Sequence, residues 1–275
     1  MRRAYILFFL LAATVTRAQT PKPSVAGQVN GSYPEPAPLD FADHTGFVSL
    51  FDGKTLAGWD GRPGVWSVQD GNIVGESSGE KNAGNTFLVY HGPGPGDYQA
   101  HDFDLKLEIK VELGGGSGIQ YRSSLGIPPG RTAGRGEPPL DPRWVMIGPQ
   151  ADFWWPTDEK HKQYTGQLYS QNTSRGIIAW RGQVVESLPG KPPQLVGAIG
   201  DRSRLGLIVN DGDWNQYEII ARGGVILHVL NGQLMTVLID DDPASSNNVT
   251  GLIGLQIEGI PSKVSFRNLW IKKLN

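Results

Sequence analysis

Apolar and polar positions alternate with period two along much of this chain. The longest run covers residues 102–113. There Phe103, Leu105, Leu107, Ile109, Val111 and Leu113 alternate with Asp102, Asp104, Lys106, Glu108, Lys110 and Glu112. Successive side chains on a strand face opposite sides of its sheet, so this run predicts a long strand with one buried and one solvated face. Four shorter runs alternate too, but their polar positions differ in kind. In residues 118–123, Ile119 and Tyr121 oppose Gln120 and Arg122. In residues 148–153, Pro149, Ala151 and Phe153 oppose Gln150 and Asp152. Residues 165–171 put Gln167, Tyr169 and Gln171 on one face, and residues 255–258 do the same for Gln256 and Glu258. Amides, one guanidinium and carboxylates make directed hydrogen bonds. The shared parity predicts that these side chains form the polar floor of one concave sheet.

Turn signals punctuate the strands. Asp52-Gly53, Asp70-Gly71, Arg181-Gly182, Asp211-Gly212 and Asn231-Gly232 suit tight turns, and Asn231-Gly232 sits between two strand-like flanks. Further strands are expected at residues 65–68, 72–76, 86–90, 176–180, 205–209, 214–221 and 264–274. The best helix candidate is residues 157–164, capped by Thr157 or Asp158. Many short strands without alternating helices predict an all-β sandwich of two antiparallel sheets, a jelly roll. The Pro/Gly-rich loop at residues 125–143 lies between two floor strands, where it would cover a site or remain disordered. Residues 188–204 read as a surface connection.

The chain has 275 residues, a formal charge of -2 and no cysteine. Its length suits one large β domain, expected over residues 45–275. The charge balance argues against general nucleic-acid binding. Without cysteine there are no disulfides, thiolate metal sites or Cys nucleophiles. Arg2-Arg3, an apolar run over residues 4–15 and Thr16-Arg17-Ala18 predict a signal peptide at residues 1–18. The apolar run is shorter than the about 20 residues a spanning helix needs, so no transmembrane segment is expected. Cleavage after Ala18 would release a periplasmic or extracellular protein. Residues 19–44 contain five prolines, Pro21, Pro23, Pro34, Pro36 and Pro38, and read as an extended linker. The chain's 8 Trp suit stacking on sugar rings as well as core packing.

Several stretches together resemble a known family. Gly46-Phe47-Val48-Ser49-Leu50-Phe51-Asp52-Gly53-Lys54-Thr55-Leu56-Ala57-Gly58-Trp59 is similar to its opening signature. Gly71-Asn72-Ile73-Val74-Gly75-Glu76, Gly116-Ser117-Gly118-Ile119-Gln120-Tyr121-Arg122-Ser123, Pro149-Gln150-Ala151-Asp152, Asp213-Trp214-Asn215 and Phe266-Arg267-Asn268-Leu269-Trp270-Ile271 follow in the same order. The set resembles the 3-keto-disaccharide hydrolase domain over residues 45–275. The resemblance implies a concanavalin A-like fold acting on glycosides oxidised at C3. It departs at Glu258, where a His is expected, and leaves the role of that position open.

A 3-keto group acidifies the hydrogen on C2, so a base can form an enolate and expel the C1 oxygen. That needs a base, an enolate-stabilising group and an acid. The candidate catalytic residues are Asp152, Glu258, Glu76 and, for the enolate, Arg122. Gln120, Gln150, Gln167, Tyr169, Gln256 and Trp154 are candidates for binding the sugar. Each has a plainer reading: an Arg122–Asp152 ion pair, a turn acceptor at Glu76, a rim position for Glu258, packing roles for Trp154 and Trp155, and a satisfied core histidine at His228. A divalent metal could polarise the ketone, though the five histidines lack ligand spacing. The cofactor and oligomeric state stay open. A lectin-like carbohydrate-binding module is the alternative function. A retaining glycosidase ranks last, because no Glu-x-Asp-x-x-Glu pattern occurs.

Overall fold

The computed structural model describes residues 40–94, 96–154, 163–259 and 261–274. The expected signal peptide, most of the linker, Trp155 and most of the helix candidate at 157–164 lie outside the described residues. Among the described residues two sheets carry seventeen strands. The larger sheet runs in the order β12 (Gln194–Ala198), β11 (Gln183–Ser187), β15 (Gln233–Asp240), β14 (Val225–Leu230), β13 (Asn215–Arg222), β6 (Phe103–Leu113), β17 (Ser262–Lys273), β4 (Asn72–Ser77) and β3 (Trp66–Gln69), with β1 (Val48–Ser49) beside β17. The smaller runs β10 (Gly176–Ala179), β9 (Leu168–Gln171), β8 (Met146–Trp154), β7 (Gly116–Leu125), β16 (Leu252–Glu258), β5 (Thr86–Tyr90) and β2 (Trp59–Gly61). This is the expected concanavalin A-like sandwich. All described pairs are antiparallel except β11 with β15.

Period-two patterning accounts for the core. Phe103, Leu105, Leu107, Ile109 and Val111 of β6 are buried against Ile119, Tyr121, Ala151 and Phe153 of the smaller sheet. Each such side chain contributes about 1.5–3 kcal/mol by leaving water. His228 of β14 is fully buried in this core, with its Nε2 2.8 Å from the Tyr121 hydroxyl. Burial pushes its pKa down to about 3, so the ring is neutral, and it ties the two sheets together.

Three expectations change. The outer face of β6 is not fully solvated: Lys106 and Glu218 are buried, 3.7 Å apart. Residues 40–47 cover them. Lys106 Nζ donates to the carbonyls of Asp40 (2.9 Å) and Asp43 (3.1 Å) and lies 4.8 Å from the Phe47 ring. The strand expected at 205–209 is instead entered by helix α1 (Arg202–Gly206), capped by Asp201, which accepts from the Arg204 N–H at 2.9 Å. Leu205, Ile208 and Val209 pack on the core at helical spacing. Finally, the connection at 188–204 contains β12.

Candidate active site

The outward face of the smaller sheet is divided. At one end Phe87, Val89, Met146 and Leu252 form a second apolar cluster with Leu125. At the other end the predicted polar side chains gather. Cross-strand register orders them in rows. Gly254, Gln120, Gln150 and Tyr169 lie opposite one another across β16, β7, β8 and β9. The next row along the strands is Gln256, Gly118 and Asp152, and the one after is Glu258, Gly116 and Trp154. The two central glycines leave room for their neighbours. A Cβ on Gly118 would come within 2.6 Å of the Gln150 amide nitrogen, and one on Gly116 within 2.8 Å of the Trp154 ring.

The centre of the floor is Asp152, buried in β8. Its Oδ1 accepts from Gln150 Nε2 at 2.7 Å and its Oδ2 from Gln167 Nε2 at 2.5 Å. The Trp154 side chain supplies a further hydrogen bond. Three donors leave about one of the four lone-pair positions of a carboxylate free. Burial raises the Asp152 pKa to about 7, and nearby Glu258 pushes the same way, while the amide donors pull it down. Gln150 Nε2 also donates to Gln256 Oε1 at 2.6 Å, and Gln256 Nε2 reaches Asn85 (3.0 Å) and Glu258 (3.2 Å). One amide chain thus links both carboxylates. The Glu258 pKa is raised by burial, with Arg131 opposing and Glu137 reinforcing the rise.

A cavity of about 510 Å³ opens over this floor, within the range that holds small-molecule ligands. Asp152, Glu258, Gln150, Gln167, Tyr169 and Trp154 line it. Gln256 braces the carboxylates without lining the cavity, and Gln120, fully buried, accepts from Ser123 Oγ at 3.0 Å beside it. The Tyr169 pKa is raised by burial and by both carboxylates. Among the described residues no three His, Asp or Glu side chains gather closely enough to hold a metal ion.

Two expected members stand elsewhere. Arg122 has φ 47° and occupies a register break between Gln120 and Ser124. Such a bulge inverts side-chain parity, and the guanidinium turns off the floor. It donates to the carbonyls of His101 (2.6 Å), Gly223 and Asn247 (both 2.9 Å) and to Asp102 Oδ1 at 3.1 Å. It does not pair with Asp152. Glu76 belongs to β4 of the other sheet; it accepts from Gln69 Nε2 at 3.0 Å and sits 3.7 Å from Lys263 Nζ.

Among the described residues the cation that lines the cavity is Arg131, from the Pro/Gly-rich loop between β7 and β8. Its charge acts on both Glu258 and Tyr169, and its buried Nε has no hydrogen-bond partner. The loop is tied down by Asn82 Nδ2 to the Gly136 carbonyl (2.5 Å) and Arg62 Nη2 to the Pro139 carbonyl (2.9 Å). Sequence parity had no access to Arg131, since irregular backbone has no period. The proline-rich stretch between two floor strands was the available signal.

A family model described as the 3-keto-alpha-glucoside-1,2-lyase-like domain matches residues 46–272. A 3-keto-disaccharide hydrolase from Bacteroides thetaiotaomicron is 38% identical over 88 residues, which cover 29% of this chain and 28% of that protein. The match therefore spans well under a third of that relative's length. A Parabacteroides distasonis protein with a provisional glycosyl hydrolase assignment superposes with a TM-score of 0.50 at 20% identity, covering 83% of this chain and 99% of that one. At that identity the likeness concerns the fold.

Proposed function

From the premise that this chain belongs to the 3-keto-alpha-glucoside-1,2-lyase-like domain family, we propose that it cleaves the glycosidic bond of 3-keto-glycosides by removing the C2 proton. The observation that carries this reading is Asp152: a carboxylate poised near neutrality, held by three donors, and open to a cavity lined with sugar-compatible groups. A general base works best with a pKa near the operating pH.

Asp152 takes the C2 proton, and the electron pair of that bond moves into a C2–C3 double bond with negative charge on the C3 oxygen. Arg131 supplies positive charge beside the floor for that oxygen, a role worth more in the transition state than in the ground state. The carbonyl then re-forms, a C1–C2 double bond appears, and the C1–O bond breaks. Glu258 gives its proton to the departing oxygen. Its upward-shifted pKa keeps that proton available. Adding water across C1 and C2 returns a proton to C2 and completes a net hydrolysis; release before that step would make the protein a lyase. The division of roles follows the donors. Asp152 is held by three hydrogen bonds that favour its ionised form, whereas among the described residues Gln256 is the side-chain donor to Glu258.

Export by residues 1–18 belongs to the same proposal and would place the enzyme outside the cytoplasm. The test is incubation with a 3-keto-glucoside beside its unoxidised parent, followed by NMR. Turnover of the keto form alone is expected. Binding of both sugars without turnover of either would establish a lectin-like module instead.

A further inference from the structure

The larger sheet turns a mostly apolar face to the core, and His228 and Thr236 interrupt it side by side. Ile226 and Leu230 of β14 and Leu238 of β15 present hydrocarbon. Between them His228 of β14 lies directly opposite Thr236 of β15, and both are fully buried. Directly opposite residues of paired strands share a face. A third polar side chain, Arg181, is buried just ahead of β11. Polar groups in such a layer cost free energy unless they are bonded, so what they bond is informative.

They converge on the three residues ahead of β9. Arg181 Nη1 donates to the Thr165 carbonyl at 2.8 Å, and Thr236 Oγ1 to the Gly166 carbonyl at 3.4 Å. His228 Nε2 meets the Tyr121 hydroxyl. Its Nδ1 closes no hydrogen bond of ordinary geometry among the described residues, yet the Gln167 backbone lies near enough to favour a proton on the ring. Using both ring nitrogens puts the one proton of the neutral ring on Nδ1, towards the Gln167 carbonyl, with Tyr121 donating to Nε2. Gly166 has φ 86°, and a Cβ there would come within 3.1 Å of Met235 Cγ, so the segment is seated on β15.

The same three residues hold Asp152 from their other side. The Gly166 N–H donates to the Asp152 carbonyl at 3.0 Å, and the Asp152 N–H to the Gln167 carbonyl at 3.2 Å. Gln167 Nε2 bonds the Asp152 carboxylate, and Thr165 Oγ1 accepts from the Trp154 N–H at 3.0 Å. Thr165 and Gly166 lie in a turn, outside any strand. The segment is a clasp between the core and the candidate base.

We propose that His228 and Thr236, with Arg181, are positioning residues: from the larger sheet they fix the backbone of residues 165–167, and so keep the Gln167 side chain bonded to the Asp152 carboxylate. His228 and Thr236 are fully buried and act through Gln167. The kinetic consequence rests on the cleavage reading above. The Gln167 bond favours the ionised carboxylate, so losing it makes Asp152 harder to ionise.

The test is the double variant Thr236→Val/His228→Leu, which removes both donors and keeps an apolar side chain of similar size at each position. Asp152 must be ionised to act as a base. The acid limb of kcat/KM on a 3-keto-glucoside should therefore move to higher pH by about half to one pH unit, the scale of one hydrogen bond to a carboxylate. If the double variant does not fold, Thr236→Val alone is read the same way. Ile226→Val, a core change two residues along β14, should leave the limb in place. Among the described residues the ionisable groups around Asp152 are Glu258, Tyr169 and Arg131 at the cavity and Tyr121 and Tyr217 in the core, and all are unchanged in these variants. A limb that stays or moves to lower pH, or an equal shift in Ile226→Val, overturns the proposal. If no keto-sugar turns over, the cleavage reading fails. A ¹³C NMR titration of the Asp152 carboxyl, assigned by its loss in Asp152→Asn, then decides the positioning role by itself: titration at higher pH in the double variant supports it, and unmoved titration overturns it.

Discussion

Asp152 and Asp104 are both strand carboxylates removed from water, and in both the proton is held more tightly than in a solvated aspartate. Burial is the leading cause in each, and each has a second carboxylate nearby, Glu258 for Asp152 and Glu218 for Asp104. What lies in front of them differs. Asp152 faces a cavity with unpartnered amide oxygens. Asp104 shares a covered patch with Lys106 and Glu218, beneath residues 40–47, with Lys106 bonded to two of that segment's carbonyls. A perturbed carboxylate therefore marks a site only when it also has room for a substrate. The patch at Asp104 fastens chain to sheet, and the floor at Asp152 is equipped to exchange a proton.

The widest separation between the two should come from charge removal. Asp152→Asn keeps the shape and removes the base, so kcat on a 3-keto-glucoside should fall by about 10²–10⁴. Stability should move the other way. A carboxyl whose folded pKa is raised favours folding at low pH, and that contribution is lost as pH climbs from about 4 towards about 7. Thermal unfolding at pH 8.5 should then show the variant losing less than the wild type relative to pH 4.5. A variant with full activity, or one less stable at high pH, breaks the distinction.

The two arginines sharpen it. Arg131→Ala should lower kcat by about 10²–10³, the usual cost of losing a charge-stabilising donor, with unfolding unchanged. Arg122→Ala should do the reverse. It removes the guanidinium that bonds three carbonyls and the Asp102 carboxylate, so urea unfolding should register about 3–5 kcal/mol of lost stability. The protein that remains folded should keep its kcat.

Asp104→Asn should have the smallest effect. Activity should stay within twofold. The melting temperature above neutral pH should rise slightly, because the variant cannot acquire a second negative charge beside Glu218. A large activity loss here would mean that the outer face takes part in the chemistry.

The sequence showed much of this site for a physical reason. Side chains on regular strands obey period two, so Gln150 with Asp152, Gln167 with Tyr169, and Gln256 with Glu258 could each be paired on one face of their own strand from spacing. The same rule misplaced Arg122, because one left-handed residue in a bulge reverses parity. Glu76 was misplaced because parity says which face a residue takes and not which sheet its strand joins. Arg131 lies on irregular backbone, where no period exists to read. The segment at α1 looked strand-like because Leu205, Leu207 and Val209 alternate, yet Leu205, Ile208 and Val209 are the residues that pack. Burial of Lys106 depends on a segment more than sixty residues away in sequence, a contact no local pattern encodes.

The most direct test of Asp152 as the C2 base follows hydrogen at that carbon. The wild type is incubated with a 3-keto-glucoside in D₂O, and the sugar product is read by NMR and mass spectrometry. Proton removal at C2 followed by rehydration predicts deuterium at C2 of the product, together with a rate loss when the substrate carries deuterium there and proton transfer limits the rate. Asp152→Asn should show neither exchange nor turnover. Cleavage with the original C2 hydrogen retained and with full turnover by Asp152→Asn would contradict the mechanism and point to direct displacement at C1.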